Sequence, residues 1–191
     1  MFSRYSTRLL AVIAAAAFTQ AGGQPGHEER RSAQTAPLEG NAMLRIPALM
    51  AREHEELHAH LAAAAASGGA TGEAAAKVEQ ALAPHFEEEN RFALPPLGLL
   101  PQLVEGHATE EMRPAIEMGR HVEQNLGRYL AEHRDIKRAV DELEAAARAE
   151  NNIDAARFAA ELRLHAQQEE ELFYPTAILI GRYVEQRLGT R

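Results

Sequence analysis

Two short stretches of the sequence place a histidine and a glutamate four residues apart. His85 and Glu89 form the first pair, and His165 and Glu169 form the second. A spacing of four is about one helical turn, so each imidazole and its carboxylate lie on the same face of a helix. Imidazole and carboxylate together suit iron, manganese or zinc. A proline follows both pairs at the same offset, and this repetition makes a metal site a stronger interpretation than a single pair would.

Two further histidines extend the repeat. His54 lies in EHEEL and His133 in EHRDI, at an offset of 79, and the two His/Glu pairs repeat at an offset of 80. A repeat of this length predicts two similar helical hairpins, each presenting two histidines and one glutamate inward. Packed together, the hairpins form a four-helix bundle with a central site, which is the arrangement that carboxylate-bridged metal proteins use.

Apolar residues that recur every three or four positions predict four helices. The helices run from about residue 43 to 66, from a turn at 67–72 through the first His/Glu pair, from 114 to 150, and from 154 to 188. The predicted inward stripe of the second helix is Val78, Leu82, His85, Glu89 and Phe92, and that of the fourth is Phe158, Leu162, His165, Glu169, Leu172, Thr176 and Leu179. A glutamate in such a stripe is costly to bury unless it is paired or bound to a metal.

Residues 94–112 interrupt this pattern with three prolines and two glycines, and the stretch is apolar. It is expected to fold against the bundle as a crossover. The predicted fold is therefore all-α: an up-down-up-down four-helix bundle built from two duplicated helical hairpins, with a Pro-rich crossover between helices 2 and 3.

The N-terminal residues have the pattern of a secretory signal. Residues 1–21 contain two arginines followed by the apolar run 9–18, which is too short to span a membrane, and cleavage is expected after Ala21. Residues 22–40 resemble a disordered linker, and 41–191 form the predicted domain. The expected location is periplasmic or secreted, and a cytoplasmic leader or an uncleaved anchor is the alternative.

The composition excludes several classes of site and partner. The 191 residues include no cysteine, so disulfides, Cys-ligated zinc and iron–sulfur clusters are excluded. A net charge of −8 argues against nucleic acid or an anionic membrane surface as a partner. No nucleophile or phosphate loop indicates an enzyme.

The order His, His-x-x-x-Glu, His, His-x-x-x-Glu on four helices resembles the hemerythrin family, specifically its HHE cation-binding branch. The resemblance covers about residues 43–185 and includes EH at 53–54, HFEEE at 85–89, EH at 132–133 and HAQQEEELFYP from His165. Lys137 stands where hemerythrins proper have a further histidine, and Asn90 stands where the HHE pattern usually has a second glutamate. The family implies a non-haem diiron centre that binds dioxygen, nitric oxide or simply iron.

The expected cofactor is two iron ions with an oxo or hydroxo bridge, with manganese or zinc as alternatives. Two octahedral ions offer about twelve positions, of which about two stay open to water or a small diatomic ligand. His58 is a candidate fifth nitrogen ligand or hydrogen-bonding support, and Glu170 is a candidate support. The predicted metal ligands are His54, His85, Glu89, His133, His165 and Glu169.

Other histidines and acidic residues are expected on the surface or in the linker. They are His27, His60, His107, His121, Glu87, Glu88 and Glu171. Four functions remain open at this stage: binding or sensing of dioxygen or nitric oxide, iron storage or delivery, a metal-free structural bundle, and a diiron oxidase or peroxidase.

Overall fold

The computed structural model describes residues 44–189, and all regular elements within this range are helical, which confirms the all-α prediction. The predicted signal peptide and linker lie outside the described residues. Short 3-10 helices occur at Pro95–Leu99 and Glu110–Met112. The other elements are α1 (Ala48–Ala66), α2 (Gly69–Glu88), π1 (Glu89–Ala93), α3 (Leu100–Val104), α4 (Pro114–Ala149), α5 (Ile153–Gln168), π2 (Glu169–Phe173) and α6 (Tyr174–Leu188).

Two of the predicted helix starts were wrong, and each has a specific cause. Helix α1 begins at Ala48 because Pro47 precedes it, and a proline disfavours helical geometry in the residue before it. Helix α2 begins at Gly69, inside the predicted turn. The carboxylate of Glu150 accepts hydrogen bonds from the N–H groups of Ala70, at 2.8 Å, and Thr71, at 3.0 Å, and so holds the first turn of α2.

The long helices pack around three clusters of buried apolar residues, and the cluster between α1, α2, α4 and α5 is called the core here. Helix α1 packs against α2 and α5, and α4 packs against α2, α5 and α6. Burying a Val, Leu, Ile or Phe side chain contributes about 1.5–3 kcal/mol to stability relative to leaving it exposed. The large members of the core are Leu57, Leu61, Val78, Leu82, Phe86, Ile136, Val140, Leu143, Phe158 and Leu162.

Helices α4 and α6 approach closely at a pair of glycines. A Cβ added to Gly119 would lie 2.8 Å from the carbonyl oxygen of Ala177, and one added to Gly181 would lie 2.9 Å from that of Ala115. Both separations are shorter than van der Waals contact. The absence of side chains at these two positions therefore sets the distance between the helices.

A π-helical segment begins at the glutamate of each His/Glu pair. The N–H of Leu94 bonds to the carbonyl of Glu89, five residues back, at 3.0 Å, and the N–H of Tyr174 bonds to that of Glu169 in the same way. In both halves the next residue is a proline, which has no N–H and whose ring crowds the carbonyl four residues earlier. The prolines thus favour a widened turn at both places.

These widened turns overturn the predicted inward stripes beyond the two glutamates. A π segment holds one extra residue, which rotates the following residues around the helix axis. Leu172 and Leu179 were predicted to face inward, but their exposed fractions are 57% and 65%. Tyr174 and Ala177 are fully buried in their place. In the first half Ala93 is buried and Phe92 is only half-buried.

The proline-containing segment after π1 is folded against the helices, as its apolar sequence indicates. It packs on α4 and α6. Its buried residues are Leu94, Pro95, Pro96, Leu97, Leu99 and Met112. Within residues 44–189, no helix combines the length with the apolar character that a membrane span needs.

Candidate metal centre

The six residues predicted as metal ligands converge in the interior between the long helices. Each of the four histidines lies three residues from a buried core residue on its own helix, which turns its imidazole toward the other helices. These core residues are Leu57, Leu82, Ile136 and Leu162. The exposed fractions are 4% for His54, 2% for His85, 0% for Glu89, 1% for His133, 3% for His165 and 1% for Glu169.

Four of the six form the group called position A here: His85, Glu89, His133 and Glu169. One donor atom from each lies within 4.8 Å of the other three. The Nε2 atoms of His85 and His133 are 2.8 Å apart. His85 Nε2 lies 3.3 Å from Glu89 Oε1, and His133 Nε2 lies 3.3 Å from Glu169 Oε2. Position A therefore takes residues from α2, π1, α4 and π2.

The group called position B here consists of His54, His165 and Glu169, whose donor atoms also lie within 4.8 Å of one another. His165 Nε2 is 2.8 Å from Glu169 Oε1, and His54 Nε2 is 3.6 Å from the same oxygen. Glu169 thus offers Oε2 to position A and Oε1 to position B. A carboxylate with one oxygen in each group is placed to bridge two ions.

The donor spacing fits a metal ion. Two ligand atoms about 2.1 Å from one ion and at right angles lie about 3 Å apart. The separations given for the two positions run from 2.8 to 3.6 Å. Several buried side-chain atoms also have no aligned hydrogen-bond partner within the described range, which is costly. They are Nδ1 and Nε2 of His54, Nδ1 and Nε2 of His165, Oε2 of Glu89 and Oε1 of Glu169. An ion at each position would relieve the Nε2 and carboxylate oxygen atoms among them, but not the two Nδ1 atoms.

Carboxylates stand behind three of the four histidines. Glu132 Oε2 lies 3.0 Å from Nδ1 of His85, and Glu170 Oε1 lies 2.9 Å from Nδ1 of His133. Nδ1 of His165 is 3.3 Å from an oxygen of Glu53, close enough for an ion pair but not aligned for a hydrogen bond. Such contacts fix the ring orientation and leave Nε2 facing the ion.

The fourth histidine lacks this support. His54 stacks on the ring of Phe86, with centroids 4.3 Å apart, and its Nδ1 has no hydrogen-bond partner within residues 44–189. The counterpart of Glu170 in the first half, at the offset of 80, is Asn90, which is exposed. Glu170 also accepts a hydrogen bond from Lys137 at 2.8 Å. The counterpart of Lys137 in the first half, at the offset of 79, is His58.

Tyr174 is a further polar residue in the centre, and it is not among the ligands or supporting residues predicted from the sequence. Its buried hydroxyl donates a hydrogen bond to Glu89 and lies 3.0 Å from Nε2 of His133 and 3.3 Å from Nε2 of His85. At the offset of 80 its counterpart is Leu94, which is buried and apolar. The sequence signal that could have identified it is a tyrosine directly before the proline that follows the His/Glu pair.

The buried imidazoles and carboxylates of the two positions shift one another's pKa values. Burial lowers the pKa of His85, but contacts with Glu89 outweigh this and raise it to about 9. In the same way Glu169 raises the pKa of His165 to about 9. Burial and the charge of Glu169 raise the pKa of Glu89. Burial also opposes ionisation of Glu169, but the surrounding imidazoles hold its pKa well below the usual range.

The remaining histidines and glutamates lie outside positions A and B. His58 is exposed and packs edge-on against Phe86. His60 and His107 are exposed, as expected, and contact Glu161 and Glu105. Glu87 and Glu171 are exposed, and His27 lies outside the described residues. The expected surface position was wrong for Glu88 and His121, which are both half-buried. Glu88 bonds to His121 at 2.7 Å and to Arg128 at 2.6 Å.

Comparisons with protein-family models, with curated proteins and with solved structures gave no match for this chain. The site is therefore characterised by its own geometry: a buried His/Glu cluster in an all-helical domain that could hold metal ions.

Proposed function

We propose that this chain is a hemerythrin-like protein that holds two iron ions and binds or senses dioxygen or nitric oxide. The observation that carries the proposal is the sharing of Glu169 between two buried groups of donors, positions A and B. In this proposal the Nε2 atoms of the four histidines and the oxygens of Glu89 and Glu169 bind the ions. Manganese or zinc would fit the same donors.

The proposal includes an up-down-up-down bundle with residues 94–112 as its crossover. Side-chain contacts support antiparallel neighbours. The end of α4 contacts the start of α2 through Glu150, and the middle of α4 contacts the end of α2 through Glu132 and His85. The earlier residue of α4, Glu123, contacts the later residue Arg182. The later residue of α4, Lys137, contacts the earlier residue Glu170, as expected for antiparallel neighbours.

The residues around the donors have separate tasks. Glu132, Glu170 and Glu53 orient three imidazoles through Nδ1. Apolar residues such as Leu82 and Leu162 exclude water from one side of the groups. Iron, when bound, supplies the change of oxidation state that reversible binding of dioxygen requires. No substrate pocket enters the proposal, and the protein is proposed as a binding protein.

One observation favours iron storage or delivery as the second candidate. Lys137 occupies the place of the additional histidine of hemerythrins proper and pairs with Glu170. The centre thus has only four histidine nitrogens inside the two groups. A centre with fewer nitrogen ligands could hold iron without responding to a gas.

Metal analysis with optical spectroscopy tests the proposal and separates the two candidates. Protein reconstituted with Fe²⁺ without oxygen should contain about two ions, and its visible spectrum should change on exposure to dioxygen or nitric oxide. Two ions with no spectral response would favour storage or delivery. A protein that keeps no metal would refute both candidates. His60→Ala, an exposed substitution, is the control.

We also propose export of the chain, because residues 1–21 have the pattern of a cleavable signal. Mass spectrometry of protein from its native host should find a mature chain that begins near Gly22. An intact N-terminus in the cytoplasm would contradict this.

A further inference from the structure

We propose that the two metal positions differ in affinity, so that position A fills first and position B fills only at higher metal concentration. The inference rests on the proposed dinuclear function and adds an order of loading to it. The metal pair, and any gas binding that needs it, would then form only when enough free metal is present to fill position B.

The number of donor atoms favours position A. Position A groups four side chains and position B groups three. The hydroxyl oxygen of Tyr174 also lies 3.0 Å from His133 Nε2 at position A, where it can contact an ion or a ligand of that ion. Its counterpart Leu94 brings no oxygen to the other half of the site. Each additional donor in a buried group strengthens binding.

Support behind the histidines also favours position A. Both of its imidazoles have a carboxylate hydrogen-bonded to Nδ1, from Glu132 and Glu170. At position B, His165 has only the unaligned contact with Glu53, and His54 has no partner for Nδ1 among the described residues. Loss of one such partner typically weakens metal binding by about 10–100-fold.

One feature acts in the opposite direction. Three of the unpaired atoms belong to position B, namely Nε2 of His54, Nε2 of His165 and Oε1 of Glu169, so an ion at position B would relieve more unpaired polar groups than an ion at position A. A water molecule can also satisfy such atoms in the metal-free protein. The missing carboxylate behind His54, in contrast, is missing with and without metal. The balance therefore still favours position A.

Calorimetric titration of the metal-free protein with Co²⁺ alone tests the order. The wild type should bind two ions in two steps whose affinities differ by about 10–100-fold. His54→Ala should lose the weaker step and keep the tighter one, which assigns the tighter step to position A. Loss of the tighter step in this variant would overturn the proposal. Circular dichroism checks that the variant remains helical.

Exchange of the two counterpart residues provides a second test that leaves all six donors intact. Glu170→Asn should weaken the tighter step by about 10–100-fold, and Asn90→Glu should strengthen the weaker step. Glu171→Asn is the matched control, because Glu171 is adjacent, exposed and bonded to Gln167. An unchanged tighter step in Glu170→Asn would overturn the proposal. An unchanged weaker step in Asn90→Glu would contradict the argument that the missing carboxylate behind His54 weakens metal binding at position B.

The results also separate this inference from the proposed function. A wild-type protein that binds no Co²⁺ or Fe²⁺ would refute the dinuclear function itself. Two ions bound with equal affinity would leave that function standing and refute only the order of loading.

Discussion

The two halves of the domain place their metal donors alike but support them differently. In each half a histidine is followed one turn later by a glutamate that begins a π segment, π1 or π2. The second half adds Glu170 behind a histidine and the Tyr174 hydroxyl beside the donors. The first half has Asn90 and Leu94 at these positions. The comparison shows that donor placement and donor support are separate properties of the duplicated sequence.

The halves also diverge after their π segments. The second half continues as α6, which packs on α4 through Gly181 and Gly119. In the first half the continuous helix of α2 and π1 ends before Pro95, and short helices follow until α4 begins. In both halves a proline, Pro95 or Pro175, follows the π segment after one intervening residue. The first half has a second proline, Pro96, directly after the first one. Two successive prolines remove two N–H donors, which ends the helix.

The largest expected effect comes from the glutamate that both positions share. Glu169→Ala should remove both ions, because Glu169 has an oxygen in each group. Glu89→Ala should weaken position A more than position B, because Glu89 is grouped only with the donors of position A. Metal-to-protein ratios of the purified variants measure this difference.

His58→Ala is the control for both glutamate variants. It should keep the full metal content, since His58 is exposed and outside the two groups. Loss of metal in this variant equal to that in Glu169→Ala would mean that His58 is a true ligand and that the assignment of the donors is incomplete.

The sequence was sufficient to predict the helical fold and to identify the six side chains that converge, because both follow from periodicity and duplication. It was not sufficient for the residues beyond each glutamate. The stripe that included Leu172 assumed an uninterrupted α-helix, whereas π2 contains an extra residue. Tyr174 was missed for the same reason. The contacts of Glu150 with the start of α2 join residues 80 apart, which local sequence patterns do not reveal.

A second prediction concerns the pH dependence of the metal-free protein. The pKa of His85 and that of His165 rise from about 6.5 in the unfolded chain to about 9 in the folded chain. Their stabilising contribution is complete below about pH 6.5 and is lost as pH rises through about 9. The free energy of unfolding should therefore fall by a few kcal/mol, roughly, between about pH 6 and about pH 9.

The metal-bound protein should respond in the opposite direction. Metal binding needs neutral imidazoles and ionised carboxylates, so stabilisation by metal should grow toward about pH 9 and nearly vanish near about pH 4. Denaturant unfolding of both forms across this range measures the pH dependence of the free energy of unfolding.

Two variants test the pH dependence of the metal-free protein. Because one of the two histidines lies at each position, His85→Gln and His165→Gln should each remove about half of the slope of the free energy of unfolding against pH. A slope retained in both variants would contradict the assignment.

A third prediction concerns the tyrosine that only the second half possesses. The Tyr174 hydroxyl bonds to Glu89 in the interior, and burial together with the nearby carboxylates raises its pKa, so it stays protonated in the metal-free protein. Tyr174→Phe should lower the free energy of unfolding of the metal-free protein by about 1–3 kcal/mol, because it removes a buried hydrogen bond. Tyr129→Phe is the matched control, since its hydroxyl is 3.5 Å from Glu88. Equal effects would show that the contact with Glu89 contributes nothing special.

The smallest expected effect concerns how the two halves begin their second helices. Asn152, the residue before α5, accepts a hydrogen bond from the N–H of Ala155 at 3.1 Å, a local cap. Helix α2 is capped instead by Glu150 from the end of α4, through two N–H groups and the hydroxyl of Thr71. Asn152→Ala should lower the free energy of unfolding by about 1 kcal/mol.

Glu150→Ala should act on the first half alone, because its contacts lie at the start of α2. Without this carboxylate the first turn of α2 should open, and the helix should begin nearer to residue 72, where the sequence pattern alone places it. Amide hydrogen exchange should become faster at Ala70 and Thr71 and stay unchanged at Ala155. Asn152→Ala should give the reverse pattern. Faster exchange at both helix starts in either variant would mean that the two caps are coupled through α4 and that the halves do not begin their helices independently.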